Sequence, residues 1–191
     1  MMNVDCAYCE KQVCTGDVSN TPLFCPRRVE KEALENADDI RNKDTEVIKI
    51  TSAAKSVEQE GYRIWPRVRE LIEFSKRMGY KKIGIAFCTG LREETKQLSK
   101  ILASHNFELS TVACTVNQGC NPVGQALVLN SQKTELNIIM GLCMGHDILF
   151  SNYSAAPVTT LVVKDRAMCH NPSAPLVNSY WKDTFIKDSN Q

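Results

Sequence analysis

The stretch KKIGIAFCTGLREETKQLSKILASHNFELSTVAC, residues 81–114, decides the fold. It opens on a short apolar run, IGIAF at 83–87, and closes on a second, LSTVAC at 109–114. Between them, residues 91–105 carry apolar side chains at the spacing of an amphipathic helix. Short apolar runs bounded by polar residues read as buried strands, and a strand–helix–strand order needs a crossover, which makes the two strands parallel. Outward from this unit, LNIIMG at 136–141 and VTTLVV at 158–163 repeat the strand pattern, with helical stretches at 122–131 and 146–152. The βαβαβαβ order predicts an α/β fold: a doubly wound, mostly parallel sheet of about four or more strands with helices on both faces.

Towards the N-terminus, Val68, Leu71, Ile72 and Phe74 gather on one side of a helix expected from Pro66 to Met78, and Gly79 supplies its C-cap. Between 27 and 61, charges of both signs alternate while Val47, Ile50, Ala54 and Val57 recur at helical spacing, predicting amphipathic helices that end at Gly61. Residues 1–26 have neither helical nor strand periodicity, yet hold four of the nine cysteines. The expected organisation is a Cys-rich metal-binding loop over 1–26 and one integrated α/β domain over 27–191 that includes the N-terminal helices.

A chain of 191 residues suits one core, and 43% apolar with 24% charged residues is ordinary for a globular protein. Lys and Arg total 23 against 22 Asp and Glu, with no basic cluster interleaved with aromatics, so nucleic acid is not an expected partner. The opening MMNVDCAYCE has neither a basic nor an apolar targeting region, and no run nears the roughly 18–20 apolar residues of a membrane span. A membrane partner is therefore not expected, and the expected location is the cytoplasm. In that reducing compartment a surplus of cysteines, odd in number, points to metal or redox chemistry rather than disulfides.

Cys6, Cys9, Cys14 and Cys25 form a C-x2-C-x4-C-x10-C arrangement. Four thiolates can close one tetrahedron, and thiolate is a soft ligand suited to zinc or to iron–sulfur clusters. A loop without a core pattern gains order from such bonds, so a metal site is expected here. Zinc is the first expectation. An iron–sulfur cluster is the alternative, because Cys25-Pro26 matches the Cys-Pro ending of ferredoxin-type runs. A redox dithiol at Cys6 and Cys9 lacks the strand-then-helix setting that activates such pairs.

A second constellation falls at strand ends. Cys88 follows the first strand, and Cys114 ends the second with Cys120 just beyond. Cys143, Gly145, His146 and Asp147 follow the third strand, and Lys164, Asp165, Arg166, Cys169 and His170 the fourth. In an open α/β sheet, ligands bind in the crevice outside these carboxyl ends. Several of the turns also lead into helices: Thr89 or Gly90 before 91, Asn121-Pro122 as N-cap and N1, and Asn171-Pro172 likewise. A helix N-terminus lowers a thiol pKa, so thiolate chemistry is expected. The candidate catalytic residues are Cys88 and Cys143 as nucleophile or ligand, and His146 as a base held by Asp147 or another acceptor. Cys120 and His170 are candidates for lining the crevice and binding a cofactor, whereas Cys114 alternates within an apolar strand and reads as core. A cysteine-phosphatase loop is disfavoured because Glu94 stands where Arg is required, six residues after Cys88. The chain contains no G-x-G-x-x-G, Walker A or H-E-x-x-H sequence.

The chain resembles an uncharacterised prokaryotic family of cysteine-rich, predicted metal-binding proteins, a domain of unknown function with four N-terminal cysteines. The resemblance rests on those cysteines, on GYRIWPRVRELIEFSKRMGYKKIGIAFCTGL, on CNPVGQALVLN, and on GLCMGHDILFSNYSAAPVTTLVVKDR followed by HNP. It implies a metal, zinc first, at Cys6, Cys9, Cys14 and Cys25, and it places Cys88, Cys120, Cys143, His146 and His170 inside family motifs. In that family glycine usually precedes His-Asn-Pro, so Cys169 departs from the pattern. The expected function is a metal-binding protein with a Cys/His-lined crevice at the sheet edge. The alternatives are a cysteine- or metal-dependent enzyme using Cys88 or Cys143 with His146, and a redox carrier or sensor.

Overall fold

The structure, a computed structural model, describes residues 3–11 and 14–188. The chain divides into two compact units, residues 1–56 and 57–191. The first contains 3-10 turns at Cys6–Tyr8 and Val18–Asn20 and the helices α1 (Pro26–Val29), α2 (Lys31–Lys43) and most of α3 (Thr45–Gly61). On α2, Lys31–Glu35, Arg41–Asp38 and Lys43–Asp39 pair at helical spacing on solvated faces, where each pair adds only about 0.3–0.5 kcal/mol.

The second unit begins with α4 (Arg67–Met78), which Gly79 ends in the left-handed conformation at φ 76°. Then follow β1 (Lys82–Phe87), α5 (Arg92–Ser104), β2 (Glu108–Ala113), α6 (Pro122–Ser131), β3 (Leu136–Met140), α7 (His146–Tyr153) and β4 (Val158–Val162). Two further helices, α8 (Ala174–Val177) and α9 (Ser179–Asp188), come after the sheet. The strands pair in parallel in the order β2-β1-β3-β4, so the expected doubly wound α/β sheet is present.

Alternate residues of β1 face opposite sides of the sheet, and each side has its own core. Ile83, Ile85 and Phe87 pack with Leu71 and Ile72 of α4, Leu98 and Leu102 of α5, and Ile138 of β3. Ala86 packs on the other side with Val112, Ala126 and Leu129 of α6, Ile139, and Phe150 of α7. Helices therefore cover both faces, which is why β1 and β3 read as continuous apolar runs rather than alternating ones.

One buried residue within β3 is polar. Asn137 is fully buried; its Oδ1 accepts from the Thr134 hydroxyl at 2.7 Å and its Nδ2 donates to Ser154 Oγ at 2.8 Å. Ser154 in turn donates to the Ala156 carbonyl at 2.7 Å, so the network ties the end of α7 to the chain entering β4. Gly84 of β1 leaves the room for it, because a Cβ there would collide with the Asn137 side chain and stand 3.0 Å from Leu129 Cδ1.

Asn171-Pro172 does not open a helix as expected. The next helix starts at Ala174 after Ser173 and is four residues long. Cys169 and His170 instead take left-handed φ values of 49° and 64°. The His170 amide donates back to the Asp165 carbonyl and the Asn171 amide to that of Met168, so the backbone is spent on a closed turn. The Asn171 carboxamide accepts from Ser173 Oγ at 2.7 Å instead of capping a first turn.

Replacing Asn137 with Ala should cost about 2–3 kcal/mol, because Thr134 and Ser154 each lose a partner within a mostly buried site. Equilibrium urea unfolding measures this, and an unchanged midpoint would show the network to be dispensable.

Candidate functional site

In the first unit, the four N-terminal cysteines border one cavity of about 270 Å³, together with Phe24 and Leu34. Cys6 lies in the first 3-10 turn, and Cys9 closes it by donating its amide to the Cys6 carbonyl at 3.2 Å. Cys25 is the N-cap of α1, where Pro26 occupies the first turn and needs no amide partner. Arg28 then hooks the preceding loop to the helix: its Nε donates to Thr21 Oγ1 at 2.9 Å and its Nη2 to the Ser19 carbonyl at 2.6 Å. Cys6 and Cys14 are exposed, and Cys9 and Cys25 are half-buried. The four side chains share a cavity, yet among the described residues no three or more His, Cys, Asp or Glu side chains gather closely enough to hold a metal ion.

In the second unit, the order β2-β1-β3-β4 reverses direction between β1 and β3, and that switch point is where ligands sit in open α/β sheets. Cys88 leaves β1 and Cys143 follows β3, so the two thiols border it. The Cys88 amide donates to the Met140 carbonyl at 3.2 Å and the Cys114 amide to the Phe87 carbonyl at 2.8 Å, extending both ladders by one step. Gly141, at φ 65°, ends β3 where a Cβ would collide with Leu91, so the turn after Cys88 packs directly over the turn before Cys143. Asn121 caps α6 as expected, its side chain accepting from the Gly124 amide at 2.7 Å.

Cys88 is half-buried, and a Cβ built on Gly90 would stand 4.0 Å from its sulfur and 3.6 Å from Lys164 Nζ. Burial pushes the Cys88 thiol up, but the Gly90 amide, the hydrogen bond and charge of Lys164, and a hydrogen bond from Cys114 outweigh it, so the net shift is below the ordinary cysteine value. Cys120 moves the other way: negative charge and hydrogen bonding at Cys114, slight burial, and then charge on Cys143 and Cys88 all raise it. Arg166 donates from Nη2 to Cys143 Sγ at 3.3 Å; that bond and the charge on Cys143 hold the guanidinium still more firmly protonated. Cys114, Cys143 and Cys88 thus all lie near enough to Cys120 for charge on them to act on it.

His146 opens α7 after Gly145, and among the described residues its ring has no hydrogen-bond partner. The Asp147 carboxylate accepts from the Ile148 amide at 2.9 Å. His170 Nδ1 accepts from the Asp165 amide at 3.1 Å, which commits that nitrogen to the turn after β4. Cys169 occupies a left-handed position that glycine takes without penalty.

The sequence places Lys164 and Arg166 at the end of the fourth strand without assigning them a part, and Cys114 reads there as core. Cys114 is indeed buried, at 4% exposure. The available signal is that Cys88 follows immediately on the first apolar run and Cys114 closes the second. Gln125 was not singled out: it is fully buried, and its Nε2 donates to the Val112 carbonyl at 2.7 Å and the Phe87 carbonyl at 3.3 Å. Its Oε1 has no partner among the described residues.

Fold and thiols together define a cysteine-rich protein with a parallel, doubly wound sheet. The chain belongs to the family described as "Protein of unknown function (DUF1847)", which matches residues 25–119 and 115–161. That match includes Cys25, Cys88, Cys114, Cys120, Cys143 and His146, and it begins after Cys6, Cys9 and Cys14. The chain is 41% identical over 200 residues to "Uncharacterized protein MJ0455" of Methanocaldococcus jannaschii, covering 95% of this chain and 98% of that protein. No solved structure matches the chain significantly. Among the described residues, no helix is long and apolar enough to cross a membrane.

Because the Cys88 thiol titrates below the ordinary value, its thiolate persists to lower pH, and alkylation by iodoacetamide should reach half its maximal rate below the pH of an unperturbed cysteine. The groups facing it are Lys164, Arg166, Cys114 and Cys120, with the Gly90 amide. Lys164→Met should move that midpoint upward and slow the reaction severalfold at neutral pH. Identical rate–pH curves for the wild type and the variant would remove Lys164 from this role.

Proposed function

We propose that this is a metal-binding protein whose four N-terminal cysteines, Cys6, Cys9, Cys14 and Cys25, hold a single zinc site. The observation that carries the reading is that all four side chains border the same cavity although they span twenty residues of loop with little core of its own. The fit lies in donor type: four soft thiols line the cavity, beside Phe24 and Leu34. Bound there, zinc would supply cross-linking of the loop rather than reaction chemistry, because four protein ligands leave no open coordination position. The Cys25-Pro26 junction supports an iron–sulfur cluster as the alternative occupant. All nine cysteines are free, which accords with a reducing, cytoplasmic setting.

A second reading rests on a separate observation, the Lys164 ammonium beside Cys88. It makes the switch-point edge a place of thiolate chemistry, with Cys143 and Cys120 near it and His146, Asp147 and His170 as further candidates on the turns after β3 and β4.

Anaerobic purification followed by metal and acid-labile sulfide analysis separates the occupants. A colourless protein with one zinc per chain supports the zinc site, and a brown protein with iron and sulfide the cluster. Single Cys→Ser changes at positions 6, 9, 14 and 25 should each lower metal content sharply while the parallel sheet stays folded. Full occupancy in all four variants would sink the proposal.

A further inference from the structure

Cys114 has a place that the thiolate reading does not use. Phe87 and Ala113 are register partners in the β1/β2 ladder, and the Cys114 amide continues that ladder onto the Phe87 carbonyl. Cys88 and Cys114 are therefore the next matched pair. Neighbouring strands lie about 4.8 Å apart, inside the roughly 4.4–6.8 Å between Cα atoms that a disulfide spans. The two residues also share a face, for Ala86 and Val112, two positions earlier on each strand, belong to the core beneath α6 and α7, and both cysteines pack with it.

We propose that Cys88 and Cys114 form a redox-active dithiol at the switch point, which reduces disulfides of small thiols or exposed protein disulfides. This inference rests on the reading of Cys88 as a reactive thiolate and adds its partner, its substrate class and the fate of its electrons. The division of labour follows from exposure: Cys88 is half-buried and meets the substrate, whereas Cys114 is buried and is reached only from within.

In the first step the Cys88 thiolate attacks one sulfur of R–S–S–R′. A Cys88–S–S–R bond forms, the substrate S–S bond breaks, and R′S⁻ departs and takes up a proton. In the second step Cys114 gives up its proton and attacks Cys88 Sγ. The Cys88–Cys114 disulfide forms and RS⁻ leaves, to be protonated in turn. Overall the pair, starting as Cys88 thiolate and Cys114 thiol, loses two electrons and one proton, and the substrate disulfide gains two electrons and becomes two thiols by taking up that proton and one from solvent. Lys164 keeps its proton throughout: it holds Cys88 as thiolate before attack and is a positioning residue. Arg166 donates to Cys143 Sγ, which stands outside the exchanging pair.

The test uses the full-length reduced protein, treated with oxidised glutathione at neutral pH, quenched with N-ethylmaleimide and mapped by mass spectrometry without reduction. Mapping assigns every thiol separately, so reactions at the N-terminal cysteines do not confuse the result. The expected product is a Cys88–Cys114 linked peptide that reduced glutathione reverses. In Cys114→Ser, glutathione should stay on Cys88, at least tenfold more than in the wild type. Cys114→Ala repeats this measurement in case a buried hydroxyl prevents folding, and circular dichroism reports whether each variant is folded. Cys88→Ser should leave Cys114 unmodified. If Cys88 is alkylated rapidly but remains glutathionylated in the wild type, or links instead to Cys120 or Cys143, the Cys88–Cys114 dithiol is overturned while the thiolate reading survives. If Cys88 resists both reagents, both fall together.

Discussion

The carbonyl of Phe87 receives the amide of Cys114, and the carbonyl of Met140 receives that of Cys88. These two bonds carry the ladders of β1 past the end of the strand, so the residues that follow inherit the spacing of a sheet rather than the freedom of loops. The central position of β1, paired in parallel on both sides and covered by helices on both faces, makes this possible. Slippage of β1 by one residue would turn Ile83, Ile85 and Phe87 into the opposite core and would also separate Cys88 from Cys114. Stability and thiol placement thus depend on the same register.

The first unit solves a different problem with different means. Its cysteines lie on turns with little apolar packing, and the fixed point is the N-terminus of α1, where Arg28 reaches back to Thr21 and Ser19. Asp17 adds a local clamp through the Ser19 hydroxyl and amide, which hold its carboxyl below the usual value. Cys25 is therefore held by helix and loop together, while Cys6 and Cys14 remain exposed. Such an arrangement leaves the exposed donors able to close on a held one.

The strands and most helices of the second unit were legible because their apolar spacing is local. Asn121-Pro122 was legible because capping depends on adjacent residues. Asn171-Pro172 carries the same dipeptide signal and misled, since the turn from Asp165 to His170 had already committed the backbone on its N-terminal side. Strand order is a tertiary choice, and no residue pattern states that β1 lies between β2 and β3. For that reason Cys114 read as core: its burial is local information, whereas its pairing with Cys88 appears only once β2 is known to flank β1. The meeting of Lys164 with Cys88 was not legible for a similar reason, as the two lie 76 positions apart along the chain.

The packing of Gly84 against Asn137 bears on how the family can diverge. The two positions lie on neighbouring strands and compete for one volume, so they form a single heritable unit. A relative that acquires a side chain at 84 must carry a smaller residue at 137, and then has no carboxamide to link the end of α7 with the approach to β4. Such a lineage would have to hold that connection by other means, with apolar contacts or a shortened segment between α7 and β4. Drift at Gly84 would therefore surface as a change in the length or composition of a distant loop.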